Sequence, residues 1–442
     1  MPHLILGLPP AWVATGILVV TYVALMIDRL NRAVVVGIGA CAMIIIGVLD
    51  QQAAIAGIDF NTIMLLAGMM IIVGVMRRTG VFEYVAIWSV KLARARPAGI
   101  LLGLGLTTAI VSALLDNVTT VLLVVPVTIG IAGQLEVPAY PFLVAEILAS
   151  NIGGTATLIG DPPNVMIGSA ANLSFNAFLV NLAPVIVVIL VANALVLHLK
   201  WGRKLRGDVA ARERVLALNP REFITDAYLL KRCLAVLGGV MAAFVLSREL
   251  RLEPGTIAMS GAFLLVLLET HPHPREHQTT KVRETLSDIE WITLFFFMGL
   301  FVVVAGVEHA GVIDQVARWV LEATGGKLVV AASVILWSSA LLSAVVDNIP
   351  FVAAMIPLIK ETGPQLTGGR HDTVVVLWWA LALGACLGGN GTLIGASANV
   401  TAAGLAERQG IPFHFLKFTK VALPIMLMSV AIAQVYLFVR FF

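Results

Sequence analysis

Gly153-Gly-Thr-Ala-Thr-Leu-Ile-Gly-Asp-Pro-Pro-Asn-Val165 sits inside a long apolar stretch and returns, altered, as Gly388-Gly-Asn-Gly-Thr-Leu-Ile-Gly-Ala-Ser-Ala-Asn-Val400. Eight of the thirteen positions are identical, far above chance. Upstream, Ser112-Ala-Leu-Leu-Asp-Asn117 lines up with Ser343-Ala-Val-Val-Asp-Asn348 at an offset of 231, which Gly80 and Gly311, and Pro126 and Pro357, share. The chain is therefore read as two related halves, 1–199 and 228–442, joined by a basic segment, 200–227.

The composition around these motifs is that of a membrane protein. Of 442 residues, 59% are apolar and 12% charged, and the mean hydropathy is +0.96. A soluble globular chain has about 45–50% apolar and about 25% charged residues. A soluble enzyme, a disordered chain and a disulfide-stapled secreted domain are excluded. Cys41, Cys233 and Cys386 are far apart, so neither a disulfide framework nor a metal site is expected. A net charge of +3 gives no reason to expect a nucleic-acid partner.

A membrane helix needs about 20 mainly apolar residues. Spans are expected near 11–28, 33–49, 60–76, 140–172, 178–199, 228–247, 255–270, 288–307, 371–404 and 418–439. The fold class is thus all-α and polytopic, with about ten transmembrane helices. Two spans, 140–172 and 371–404, are overlong and interrupted by the glycine motifs, which predicts broken helices. Two further segments, 98–133 and 327–361, carry an Asp-Asn pair at their centres and are read as re-entrant hairpins with that pair at the tip. Irregular backbone at membrane depth survives only where protein or a wet cavity covers it. Five crossings and a hairpin per half turn the second copy upside down. That inverted repeat is the pattern of secondary transporters, with substrate near the midplane at discontinuous helices.

With the N-terminus outside, 22 of the 29 Lys and Arg fall on the cytoplasmic side and 7 outside. This bias orients the chain with both termini outside and the 200–227 linker cytoplasmic. The first span is read as an uncleaved helix. The amphipathic stretches 81–96 and 310–323 are expected to lie in the interface ahead of each hairpin.

Asp116 and Asp347 carry the most information. A carboxylate at the bilayer centre costs at least about 2.5–3.5 kcal/mol. Each suits a half-helix N-terminus as a cap, and pairing them at matching tips argues for proton or cation binding as well. Asn117 and Asn348 satisfy turn backbone or also touch substrate. Gly153, Gly154, Gly388 and Gly389 break their helices, freeing backbone groups for a ligand; close helix packing is the alternative. Thr155, Thr157, Asp161 and Asn164, with Asn390, Thr392, Ser397 and Asn399 in the second copy, favour the ligand reading. Asp161 either binds an ion or caps. Glu146 is read as snorkelling or locally paired rather than coupling. Cys386 is read as a small buried hydrophobe, and His271 and His273 as a weak metal signal.

Leu115-Asp-Asn-Val-Thr-Thr-Val-Leu-Leu and Asn151-Ile-Gly-Gly-Thr-Ala-Thr-Leu-Ile-Gly-Asp-Pro-Pro-Asn164, with their second copies, resemble the ion transporter superfamily. This group includes arsenite permeases, sodium/proton antiporters, the melanosomal P protein and, more distantly, divalent anion/sodium symporters. The resemblance spans essentially the whole chain and is nearest the arsenite permease and P-protein branch. It implies an elevator-type transporter with a scaffold and a mobile transport domain, and a site formed by the tips Asp116–Thr120 and Asp347–Pro350 with the breaks at 153–164 and 388–399. It also allows a soluble cytoplasmic ATPase as partner. The second tip lacks the hydroxyls of Thr119 and Thr120, and Ala396 stands where the first copy has Asp161, so the half-sites are unequal.

On this reading no Lys or Arg lies near the site. Two aspartates would then repel a dianion, which disfavours dicarboxylates. Arsenite and antimonite, neutral trihydroxides at physiological pH, suit Asn, Thr and Ser groups and bare backbone. The expected function is arsenite or antimonite efflux across the cell membrane, coupled to proton influx through Asp116 and Asp347. Sodium/proton antiport is the alternative. No enzymatic activity is expected, and no cofactor beyond a coupling proton or sodium ion.

Overall fold

The computed structural model describes residues 7–27, 29–205, 208–271, 274–367 and 371–442; His273 lies outside them. Among the described residues every regular element is a helix. The first half contains α1 (Pro10–Ile27), α2 (Arg32–Ile45), α3 (Phe60–Arg77), α4 (Val81–Leu92), α5 (Pro97–Leu114), α6 (Asn117–Gln134), α7 (Tyr140–Gly154), α8 (Pro162–Ala170) and α9 (Phe175–Leu197). The second contains α10 (Ala227–Val245), α11 (Pro254–Thr270), α12 (Trp291–His309), α13 (Val312–Thr324), α14 (Leu328–Ser343), α15 (Asn348–Thr367), α16 (His371–Gly388), α17 (Ser397–Arg408) and α18 (Phe415–Phe441). Short helices at Gln51–Ala56, Val209–Ala217, Ser247–Leu250 and Arg275–Ser287 fill the connections.

Eight of the described helices are long and apolar enough to cross a membrane, nine if the bent pair α13–α14 counts as one. The ten expected crossings differ from this in a simple way. The sequence spans at 33–49, 140–172, 255–270 and 371–404 become the shorter helices α2, α7, α11 and α16, while α5 and α6 each reach 18 residues. Both glycine motifs do break their helices, giving α7 and α8 in one half and α16 and α17 in the other.

The two hairpins enter from opposite sides. Arg214 of the linker pairs with Glu136, just past α6, at 2.8 Å, and Arg212 donates to the Arg94 carbonyl, just before α5. Both ends of the α5–α6 hairpin therefore lie on the linker side. Arg78, at the end of α3, pairs with Asp288 at 2.6 Å and Glu269 at 3.2 Å, and Thr225 donates to the Thr79 carbonyl. These contacts put the start of α12 on the linker side as well. Helix α12 then crosses, and the chain turns through Gly311, whose φ of 72° matches the 76° of Gly80 before α4. Helix α13 meets α14 at 115° and packs against α15, so the second hairpin has both ends on the far side. Helices α4 and α13 stand at the two amphipathic stretches read at 81–96 and 310–323.

The halves interlock. The return arm α6 packs on α17 of the other half, and α15 packs on α8. The linker is more than a solvated tether: Lys91 donates to its Leu218 carbonyl at 2.9 Å, and its contacts with Thr79 and Glu136 tie it to both α4 and the base of the first hairpin.

Candidate functional site

Each hairpin tip is built by a cap. Asp116 Oδ1 accepts from the Thr119 N–H at 2.8 Å, starting α6. Asp347 Oδ1 accepts from the Ile349 N–H at 3.1 Å, starting α15. Such caps satisfy donors that a helix start otherwise leaves without partners. Each tip is then stitched to its neighbouring break. Ser112 Oγ donates to the Ser150 carbonyl and Ser343 Oγ to the Ala385 carbonyl, both at 2.7 Å. Thr157 Oγ1 donates to the Ala113 carbonyl at 2.6 Å, and Thr392 Oγ1 to the Ala344 carbonyl.

The glycines serve close approach. A Cβ on Gly153 would lie 2.2 Å from the Ala109 carbonyl oxygen, and one on Gly388 2.5 Å from that of Ala340. The packing alternative therefore holds at these two positions, and it presses each hairpin onto its break. The freed carbonyls are taken up internally. Asn164 Nδ2 donates to the carbonyls of Thr155 at 3.1 Å and Thr157 at 2.9 Å, with Gly154 at 3.5 Å. Asn399 Nδ2 does the same for Gly389 at 2.7 Å and Thr392 at 2.9 Å. Thr120 and Thr155 hydroxyls bond back to the carbonyls of Asp116 and Asn151 on their own helices.

A knot of carboxamides joins the halves. Asn151 Nδ2 donates to Asn399 Oδ1 at 2.8 Å and Asn390 Oδ1 at 2.9 Å, and Asn117 Nδ2 donates to Asn151 Oδ1 at 3.0 Å. Asn390 Nδ2 donates to the Leu148 carbonyl at 3.2 Å. Cys386, at the place that Asn151 holds in the other half, approaches Asn164 Oδ1 at 3.4 Å. Asn117 is buried, yet its Oδ1 has no partner among the described residues.

The aspartates differ. Asp347 Oδ2 accepts from Arg32 Nη1 and from Ser397 Oγ, both at 2.7 Å; Arg32 also donates to Ser397 Oγ at 3.1 Å. The expectation of a site without Lys or Arg is corrected by this contact. Arg32 opens α2 and was absorbed in the sequence by the charge count for its side of the membrane. Among the described residues Asp116 has no such partner, and it lines a cavity of about 200 Å³ with Arg32, Glu290, Thr293, Ser397 and Thr401. Asp161 is fully buried and makes no cap bond to α8. Its oxygens face Asn348 Nδ2 at 3.3 and 3.5 Å, long contacts for a charged acceptor.

Glu290 went unremarked in the sequence, although a signal was there. Glu290 and Thr293 repeat Asp59 and Thr62 at the offset of 231. Glu290 accepts from Thr293 Oγ1 at 3.1 Å, and Asp59 from Thr62 Oγ1 at 2.7 Å. Glu290 faces the linker-side cavity beside Asp116, whereas Asp59 lines a larger far-side cavity of about 730 Å³ with Asn61, Ser169, Arg248 and Arg251. Glu146, expected to snorkel or to be locally paired, has no exposure at all and accepts from Thr128 Oγ1.

Known proteins place this arrangement. A family model described as Citrate transporter (CitMHS) matches residues 22–384. An uncharacterised transporter of Mycobacterium bovis is 44% identical over 97% of this chain and 98% of its own length. The human P protein is 34% identical over 97% of this chain and 59% of that longer protein. The YdaH transporter of Alcanivorax borkumensis, whose structure was described as having an unusual topology, aligns with a TM-score of 0.60 over 97% of both chains at 13% identity, a likeness of fold. With the opposed hairpins, broken helices and carboxamide knot already described, these matches make the chain a membrane transporter of the citrate transporter (CitMHS) family.

Proposed function

We propose that this transporter moves arsenite or antimonite outward in exchange for protons. The observation that supports this most is the charge balance around the tips. Asp116, Asp161 and Glu290 gather there, and Arg32 is already engaged by Asp347. A multiply charged carboxylate such as citrate meets net repulsion in such a place, whereas a neutral trihydroxide meets hydroxyls, carboxamides and backbone. Carboxylates at membrane depth are costly to keep and mark proton or ion pathways, which suits Asp116 and Asp161 to coupling. Asp347 instead anchors the second tip in the state seen here. The mobile part comprises the hairpins and broken helices, moving against α1–α3 and α10–α12 with the linker on the cytoplasmic side.

Asp116→Asn tests the reading. Expressed in an arsenite-sensitive host, the wild-type chain should restore growth on arsenite, and the variant should not, at equal amounts in the membrane. Equal growth removes Asp116 from the mechanism. Sodium/proton antiport is the second reading, favoured by the Asn117 Oδ1, which has no partner among the described residues and follows Asp116 in sequence, hard oxygen donors of the kind small cations take. It predicts sodium tolerance in place of arsenite tolerance.

A further inference from the structure

Glu146 lies on α7, about 7.5 Å of helix rise before Asn151, between the linker-side end of the helix and the carboxamide knot. Its side chain is fully buried. Oε1 accepts from Thr128 Oγ1 on α6, and Oε2 has no partner among the described residues. An ionised carboxylate held this way, away from water and from a cation, is costly by several kcal/mol.

The packed neighbours supply no counter-charge at that depth. Helices α5, α6 and α9 carry no ionisable side chain over Pro97–Leu114, Asn117–Gln134 and Phe175–Leu197. Over Thr373–Gly388, α16 brings Cys386. Helix α17 brings Glu407 and Arg408 at its exposed end, and α18 brings Lys417, Lys420, Tyr436 and Arg440. On α7 itself, Tyr140 lies at the helix start with Lys417 over its ring at 4.2 Å. Just beyond the helix ends, Glu136 pairs with Arg214, and His198 follows α9.

The repeat provides an internal control. The motif alignment puts Leu381 at the place of Glu146, and the offset of 231 puts Ile359 at the place of Thr128. Both are fully buried. The same packing is therefore built in the second half from two apolar side chains, so the architecture itself requires neither the acid nor the hydroxyl.

We propose that Glu146 is a proton-binding residue of the transport cycle, distinct from the hairpin-tip aspartates. It holds a proton in the state seen here, with Thr128 on its other oxygen. When the mobile part moves and water reaches α7, the O–H bond breaks, the electron pair stays on the carboxylate and the proton passes to water. The inference rests on the proton-coupled reading above.

The test uses the full-length protein in lipid vesicles, comparing wild type, Glu146→Gln and the double variant Glu146→Leu/Thr128→Ile, which copies the second half. Infrared difference spectra between acid and alkaline buffer should show a deuteration-sensitive carboxylic-acid band in the wild type that both variants lack. Proton-driven uptake of arsenite by the variants should fall at least tenfold and lose its pH dependence. An unchanged band in both variants overturns the inference. A lost band with wild-type flux and pH profile also overturns it, leaving a merely structural acid. The double variant keeps the test open should Glu146→Gln not fold. Absence of proton-driven flux in the wild type brings down the functional reading itself, and the wild-type trace separates that failure from failure at Glu146.

Discussion

Arg32 and Asp347 offer the most quantitative handle on the site. Arg32 belongs to α2, which packs on α1 and α12, whereas Asp347 caps the second hairpin. Their bond at 2.7 Å joins side chains 26% and 8% exposed. Removing one partner of a buried pair costs about 3–5 kcal/mol, because the other charge is left uncompensated. Partial exposure of the guanidinium puts this pair at the low end, about 3 kcal/mol, or roughly a hundredfold in an equilibrium constant. Asp347 would keep only Ser397 and the Ile349 N–H. Arg32→Gln should therefore lower the melting midpoint in detergent. Adding Asp347→Asn should recover most of that loss, since the stranded carboxylate is then gone. A thermal-stability double-mutant cycle measures this directly. Losses that simply add in the double variant refute the reasoning: the two side chains would then be neighbours without being coupled.

Other outcomes follow from the same contacts. Asn151→Ala strands the Asn390 and Asn399 carboxamide oxygens and the Asn117 Nδ2 donor and should cost upwards of about 3 kcal/mol, at about 1–3 for each unsatisfied group, seen as a lower melting midpoint than Asn117→Ala, which strands one. Gly153→Ala and Gly388→Ala, with Cβ atoms pressed onto the Ala109 and Ala340 carbonyls, should each reduce folded yield, whereas Gly130→Ala, where a Cβ meets open space, should not. A cysteine placed at Arg214 in a Cys41→Ser background should react with an impermeant thiol reagent only from the cytoplasmic face; labelling from outside reverses the orientation.

Much of the fold can be read in the chain because the same solution is written twice. Asp116 with Asp347, and Gly153 with Gly388, mark tips and breaks through spacing alone, and a capped tip inside an apolar stretch has few other readings. Inter-half geometry is different in kind. That Asn151 meets Asn399, or that Arg32 reaches Asp347, depends on how α7 lies on α17 and how α2 faces the second hairpin, which no local pattern encodes. Arg32 was misread because a basic residue at a helix start satisfies the charge-bias rule without reference to any partner. Of the two readings of Glu146, the local partner is found in Thr128 while snorkelling fails: its distance from the helix start suits snorkelling, and only the packing of α5, α6 and α9 around α7 shows that the route to water is closed.

The central claim is exchange of a neutral metalloid hydroxide for protons at the hairpin tips. Everted membrane vesicles carrying the protein, energised to an acidic interior and monitored with a pH dye, test it most directly. The account predicts that they accumulate arsenite, that arsenite releases protons from the lumen, and that neither sodium nor citrate does so. Proton release by sodium or citrate with no arsenite accumulation contradicts it.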